Sequence, residues 1–209
     1  MRVVIPQPCP AERVNTDMTS VAALERDAEL MLRVRDGDSA SFAQLLDRHR
    51  APVIHFLYRM VQNQAIAEEL AQEVFLRVYR SRASYEPTAK FTTWLFRIAT
   101  RLALNYIRDR RYEKAHDSLD DDPPEGVVRQ LADRGATVEQ NLLRRARFQE
   151  IREAIETLPG KQRAAVLMHK YEEMEYSHIA TVLACSESAV KSLLFRAYET
   201  LRVRLAHMV

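Results

Sequence analysis

Along most of this 209-residue chain, apolar positions recur at three- and four-residue intervals, the rhythm of amphipathic helices; no stretch reads as a strand. From Asp27, Leu30, Leu32 and Val34 define a short helix that stops at Gly37, a residue suited to the left-handed end of a helix. Asp38 is placed to cap the next helix, which carries Phe42, Leu45, Leu46, Val53, Phe56, Leu57, Met60 and Val61 and contains Pro52, where a bend is expected. A third helix holds Ile66, Leu70, Val74, Phe75 and Val78. After the loop SRASYEPTAK a fourth begins near Phe91 or Thr92 and ends in the basic run RDRR. Thr137 and Gln140 form a capping-box pattern that opens a helix closing before Pro159. Three further helices are expected over roughly Lys161–Tyr171, Tyr176–Leu183 and Glu187–Ala206. The expected fold is all-α.

Two stretches lack the pattern. Residues 1–24 are expected as a flexible N-terminal arm. Residues 113–136 include DSLDDDPPEG, whose charges and prolines cannot bury a core and read as a flexible acidic linker. So long a structureless stretch belongs between domains rather than inside one. The expected architecture is two small helical domains, 25–112 and 137–209, joined by that linker.

Charge sharpens this division. The formal net charge is only +2, yet residues 25–112 hold 15 basic against 11 acidic side chains and residues 141–209 hold 11 against 8. Between them, residues 113–140 hold 3 basic and 8 acidic. Two basic blocks flank an acidic one, a division that the near-zero total hides. Only 4 glycines argue against a dinucleotide-binding sheet or a phosphate-binding loop. Two cysteines, Cys9 and Cys185, allow neither a disulfide framework nor a zinc site, and the six histidines form no metal spacing, so no metal or cofactor is expected. No nucleophile–base pair suggests an enzyme. No apolar run approaches the roughly 20 residues that span a bilayer, and the N-terminus lacks a signal-peptide core, so a cytoplasmic protein without membrane insertion is expected.

Three clusters carry candidate chemistry. The segment YSHIATVLACSESAVKSLLF fits a helix-turn-helix: Ala180 is small where two helices approach, Ala184 occupies the turn, and Val190 locks the second helix to the first. Ser186 is placed to cap that second helix. Val190, Leu194, Ala197 and Leu201 form its inward stripe, leaving Ser188, Lys191, Ser192, Phe195 and Arg196 on the outer side where a major groove is read. In the second cluster, Glu69, Gln72 and Glu73 share one helix face. In the third, Tyr85, Phe91, Trp94, Phe96 and Tyr106 interleave with Arg97, Arg101, Arg108, Arg110 and Arg111, a mixture suited to single-stranded DNA, with Phe96 and Trp94 expected to serve the core.

The order LAQEVF, FTTWLFRIATRLALNYIRDRR, acidic linker, LPGKQRAAVLMHKY and AVKSLLFRAYETLR resembles the extracytoplasmic-function (ECF, group 4) sigma factors of bacterial RNA polymerase over about residues 27–207. The resemblance implies a transcription initiation factor that binds core polymerase and directs it to promoters. Glu69, Gln72 and Glu73 match the region 2 surface that docks on the β′ clamp coiled coil, and region 4 implies a contact with the β flap. The loop from Ser84 to Lys90, including Tyr85, with Phe91 and Trp94 beyond it, matches the element that captures a base of the −10 non-template strand. Asn105 matches a base-reading position, and Arg101, Arg108 and Arg111 face phosphates. Ser186, Ser188, Lys191, Ser192, Phe195 and Arg196 match the helix that reads the −35 element. An anti-sigma protein is an implied partner. The chain departs from the family pattern at Glu175, Ala184 and Leu193, where a capping Ser or Thr, a Gly and an Arg are usual.

No ATP-binding motif is present, so strand opening has to be driven by capture of an unstacked base. A dimeric helix-turn-helix regulator with a helical effector domain explains residues 137–209 equally well. It leaves the Glu69/Gln72/Glu73 face and the aromatic–arginine helix without a purpose. An adaptor that binds protein alone leaves Lys191, Ser192 and Arg196 unexplained.

Overall fold

The computed structural model describes residues 26–116 and 138–208. Among these residues every regular element is helical. Helix α1 spans 26–35, α2 Ser39–Val61, α3 Gln64–Arg80, α4 Phe91–His116, α5 Val138–Glu156, α6 Gly160–Tyr171, α7 Tyr176–Leu183 and α8 Glu187–Arg204; single 3-10 turns follow α3 and α8. The expected arm, the acidic linker and the capping residue Thr137 lie outside the described residues.

Local chemistry sets the boundaries. Gly37 adopts φ +102°, letting its N–H and that of Asp38 return to the carbonyls of Val34 and Arg33 at the end of α1. Asp38 then accepts from the Ala40 and Ser41 amides at 2.9 and 3.2 Å and from the Ser41 hydroxyl at 2.7 Å. These bonds to the ionised carboxylate hold its pKa below the usual value, the Ser41 hydroxyl contributing most. Asn63 caps α3 through the Ile66 amide, and Ser186 caps α8 through that of Ala189. Pro52 sits inside α2 without ending it. Helix α4 continues past the basic run to His116. Its last turns carry no apolar repeat, Tyr112 being exposed, but are rich in the good helix formers Arg, Glu, Lys and Ala, so propensity extends the helix where the apolar pattern has stopped.

Helix α2 packs on α3 and α4, and α6 packs on α7 and α8. The two sets also meet, α2 against α6 and α4 against both α6 and α7, and their apolar residues form one continuous core. At this seam Arg163 of α6 is buried and donates to the carbonyls of Met60 in α2 and of Glu156 and Leu158. Burial lowers the pKa of its guanidinium, opposed by the Glu156 charge. Gly160 opens α6 so close to α4 that a Cβ there would lie 2.8 Å from Leu104 Cδ2. Outside the core, Arg59 covers the Tyr171 ring at 4.1 Å and Arg152 covers Tyr58 at 5.5 Å, both pairs crossing the seam.

Two substitutions test this account by denaturant unfolding. Arg163→Ala strips the donor from three carbonyls and is expected to cost about 2–3 kcal/mol; a loss under ~0.5 kcal/mol would show that the bonds are replaced by water. Ala184 holds φ +51° in the helix-turn-helix turn. Ala184→Gly is expected to gain about 0.5–1 kcal/mol by removing left-handed strain, and a destabilised variant would contradict that.

Candidate nucleic-acid and polymerase interfaces

The loop between α3 and α4 is tethered at both ends by rings. Tyr85 closes the preceding 3-10 turn, its N–H reaching the Arg82 carbonyl, and turns its side chain inward. Residues 86–90 are all exposed, and the chain re-enters the core at Phe91, whose exposure is 0%. Between these anchors Trp94 is half-buried, its ring 5.0 Å from Tyr85 and 5.9 Å from Phe91. Tyr85 and Phe91, which the resemblance places in the base-capture element, have their rings in the core beneath the loop, where aromatic surface is taken out of water. Burial and the nearby charge of Asp27 push the Tyr85 phenol above its ordinary pKa. Lys90 remains on the loop surface.

Beyond the loop, α4 displays a stripe. Arg97, Arg101, Arg108 and Arg111 are exposed on one helical face, with Asn105 half-buried beside them, while Leu95, Phe96, Ala99, Leu102 and Ala103 face the core. Phe96 meets Phe56 edge-on at 5.2 Å, which makes it a core ring as expected. Arg97, Arg101, Leu104 and Asn105 form one wall of a cleft of about 440 Å³ whose other wall is the end of α7, Thr181–Ala184. This meeting of the basic stripe with the helix-turn-helix turn was not visible in the sequence.

A second surface lies between α2 and α3. Glu69 and Gln72 are exposed; Glu73 is half-buried and accepts from Arg77 Nε at 2.7 Å. Beside them opens an apolar groove of about 630 Å³ lined by Phe42, Leu46, Ile54, Phe75, Leu76 and Tyr79, with Glu68, Gln72 and Arg50 on its polar margin. Leu76 and Tyr79, 48% and 40% exposed, form the outer edge of this groove and extend its apolar surface to solvent. The acidic face is legible in the sequence, whereas this groove forms only where α2 and α3 meet. Its signal was Leu76 and Tyr79 falling outside the buried stripe of α3.

The third surface is α8. Val190, Leu194 and Ala197 are buried against α6 and α7, and Ser188, Lys191, Ser192, Phe195 and Arg196 are all exposed, Phe195 at 67%. Ser186 caps the helix and shares a 2.9 Å hydroxyl contact with Ser188; the Ser192 hydroxyl donates to the Ser188 carbonyl. Glu175 makes no side-chain cap on α7, and Leu193 is half-buried against the core, so the departures at these positions leave the motif's geometry intact. Among the described residues no His, Cys, Asp or Glu cluster assembles for a metal, and no helix is long and apolar enough to cross a membrane.

A helix-turn-helix with an exposed basic reading face, preceded by an arginine stripe and an apolar docking groove, defines a DNA-directed factor that works with a protein partner. The family models for sigma-70 region 2 and sigma-70 region 4 match residues 45–112 and 148–201. Over 179 residues the chain is 34% identical to the RNA polymerase sigma factor CarQ of Myxococcus xanthus, covering 85% of this chain and 97% of that protein. It is 30% identical to the ECF RNA polymerase sigma factor SigW of Bacillus subtilis, covering 83% and 93%. Two solved structures share the fold: CnrH in complex with the cytosolic domain of CnrY (TM-score 0.63, 20% identity, 87% of this chain and 98% of that one) and the Bartonella quintana sigma factor RpoE in complex with the anti-sigma factor NepR (0.62, 22%, 79% and 96%). The chain belongs to the sigma-70 family, among its ECF sigma factors. It is an initiation factor that directs RNA polymerase to promoters.

Core and loop roles separate by mutation. Phe91→Ala is expected to destabilise the fold by about 3–5 kcal/mol, as a large buried ring does. Lys90→Ala on the exposed loop is expected to change it by less than ~0.5 kcal/mol. Equal effects in denaturant unfolding would refute the assignment of Phe91 to the core.

Proposed function

We propose that three exposed surfaces divide the work of initiation. The α3 face with Glu69, Gln72 and Glu73, together with the α2–α3 groove, docks the chain on the polymerase β′ clamp coiled coil. The loop at residues 86–90, with Lys90 and Trp94, captures a base of the −10 strand. Arg101, Arg108 and Arg111 hold phosphates, and Asn105 reads a base edge. Ser188, Lys191, Ser192, Phe195 and Arg196, on a helix capped by Ser186, read the −35 duplex, and the domain at 137–209 contacts the β flap. Residues 25–112 form the polymerase-binding and −10 domain. Residues 113–136 link it to the −35 domain, and the chain acts in the cytoplasm.

The observation that carries this reading is the spacing of exposed and buried positions on α8: five polar, basic or aromatic positions outward, three apolar ones inward. Reading intact duplex needs a rigid helix whose phosphate contacts set the register and whose few side chains discriminate. Opening the −10 element needs something different: unstacking a base takes a few kcal/mol, which a pocket and a stacking surface return. In the arrangement described, Arg101 and Asn105 share their cleft with the end of α7. The exposed arginines are open to phosphates, and DNA reaches half-buried Asn105 more fully as α7 moves from α4. CnrH and RpoE were each solved with a partner, CnrY and the anti-sigma factor NepR, which supports an anti-sigma protein as the regulator of this chain also.

Adding the purified chain to core polymerase is expected to yield promoter-specific run-off transcripts. Glu69→Lys with Glu73→Lys is expected to abolish transcription and core binding while helicity and unfolding temperature stay close to those of the parent. Persistent core binding by that variant would remove the docking assignment.

A further inference from the structure

Asp27 lies in α1, ahead of the segment that the region 2 family model matches, and is 2% exposed. It accepts from the Arg48 guanidinium and, at 2.8 Å, from His49 Nε2, both on α2. A carboxylate taken out of water is expensive even when paired, and a well-packed apolar side chain is usually at least as stabilising. Stability is therefore a poor reason for Asp27, and its surroundings suggest another. The His49 ring packs on Phe91, with centroids 5.3 Å apart. Phe91 in turn contacts Trp94 at 5.9 Å and Tyr85 at 6.4 Å. The Tyr85 hydroxyl is buried with no hydrogen-bond partner. The carboxylate thus sits behind the two rings that anchor the exposed residues 86–90 at either end.

We propose that Asp27 and His49 are positioning residues for −10 strand capture: the buried Asp27–His49 bond fixes the His49 ring, the ring fixes Phe91, and Phe91 with Tyr85 fixes the loop at residues 86–90. Helix α1 is then part of the melting apparatus, although no residue of it touches DNA. The inference rests on the assignment of residues 86–90 to strand capture. The physical gain is preorganisation. A loop already held in its binding geometry loses less freedom when a base enters, so more of the stacking energy is left to hold the strand open. A slack loop pays that ordering cost on any strand, but where the strand is already held open, transcription no longer depends on the energy of capture.

Holoenzymes carrying Asp27→Asn or His49→Gln separate this role from simple folding. Each is compared on a duplex promoter and on the same promoter with its −10 segment held open by mismatches. Core-polymerase affinity is expected to stay within about twofold, and duplex transcription to fall about tenfold, with recovery to within about twofold of the parent on the opened template. Equal loss on both templates, or no loss on either, would overturn the proposal. Should Asp27→Asn unfold, His49→Gln keeps the Asp27–Arg48 pair and decides the matter alone. Lys90→Ala is the control for the underlying assignment. If it shows no template dependence, strand capture by the loop is wrong. If Lys90→Ala shows that dependence and the Asp27 and His49 variants do not, only the positioning role is lost.

Discussion

The guanidinium of Arg163 is the constraint on which the arrangement of this molecule depends. A buried cation needs acceptors, and helix ends hold carbonyls that have no partner inside their own helix. Arg163 joins these two needs: it donates to Met60 near the end of α2 and to Glu156 and Leu158 where α5 turns into α6. Once that side chain is placed, the start of α6 lies against α4 so closely that a Cβ at Gly160 would make the Leu104 side chain shift. The Arg59–Tyr171 and Arg152–Tyr58 contacts then close the outer edge of the same seam. Each is individually modest, at about 0.5–2 kcal/mol. They act together because one rigid-body separation breaks them all.

That seam distributes access unequally among the functional surfaces. The reading side chains of α8 and the α2–α3 groove are open as the molecule stands, whereas Arg101 and Asn105 share a cleft with the end of α7. A partner that favours the separated arrangement shifts the population by its difference in affinity for the two arrangements, and by no more than that.

Much of this was legible in the sequence because helices announce themselves locally. Gly37, Asp38 and Ser186 mark boundaries by their own backbone and hydrogen-bonding chemistry, and the structure uses each in that way. The inward and outward faces of α8 follow from a period of 3.6 alone. What escaped was whatever depends on two distant segments meeting. Arg163 reads as a surface charge in LPGKQRAAV, since nothing nearby in sequence shows that α2 ends against it. Gly160 reads as a turn residue. Asp27 reads as a residue at the start of a helix, although Arg48 and His49 make it a core group. The groove escaped for a related reason: Phe42 and Leu46 look like ordinary core positions until α3 is set beside them and leaves the space between unfilled.

The aromatic-rich loop shows where periodicity fails and why the failure matters. Between Tyr85 and Phe96 four rings fall within twelve positions, and composition alone cannot say which face a base and which face the interior. The structure buries Tyr85, Phe91 and Phe96 and leaves Trp94 half-covered. Burial lowers the stickiness of the free chain, since exposed rings stack on any unpaired base with little preference. It also stiffens the loop, since a ring locked among other rings cannot swing with it. A protein built this way gives up indiscriminate affinity for a defined loop geometry. The missing affinity has to come from elsewhere, and a groove edged by Leu76 and Tyr79 offers apolar surface on which a much larger partner can supply it.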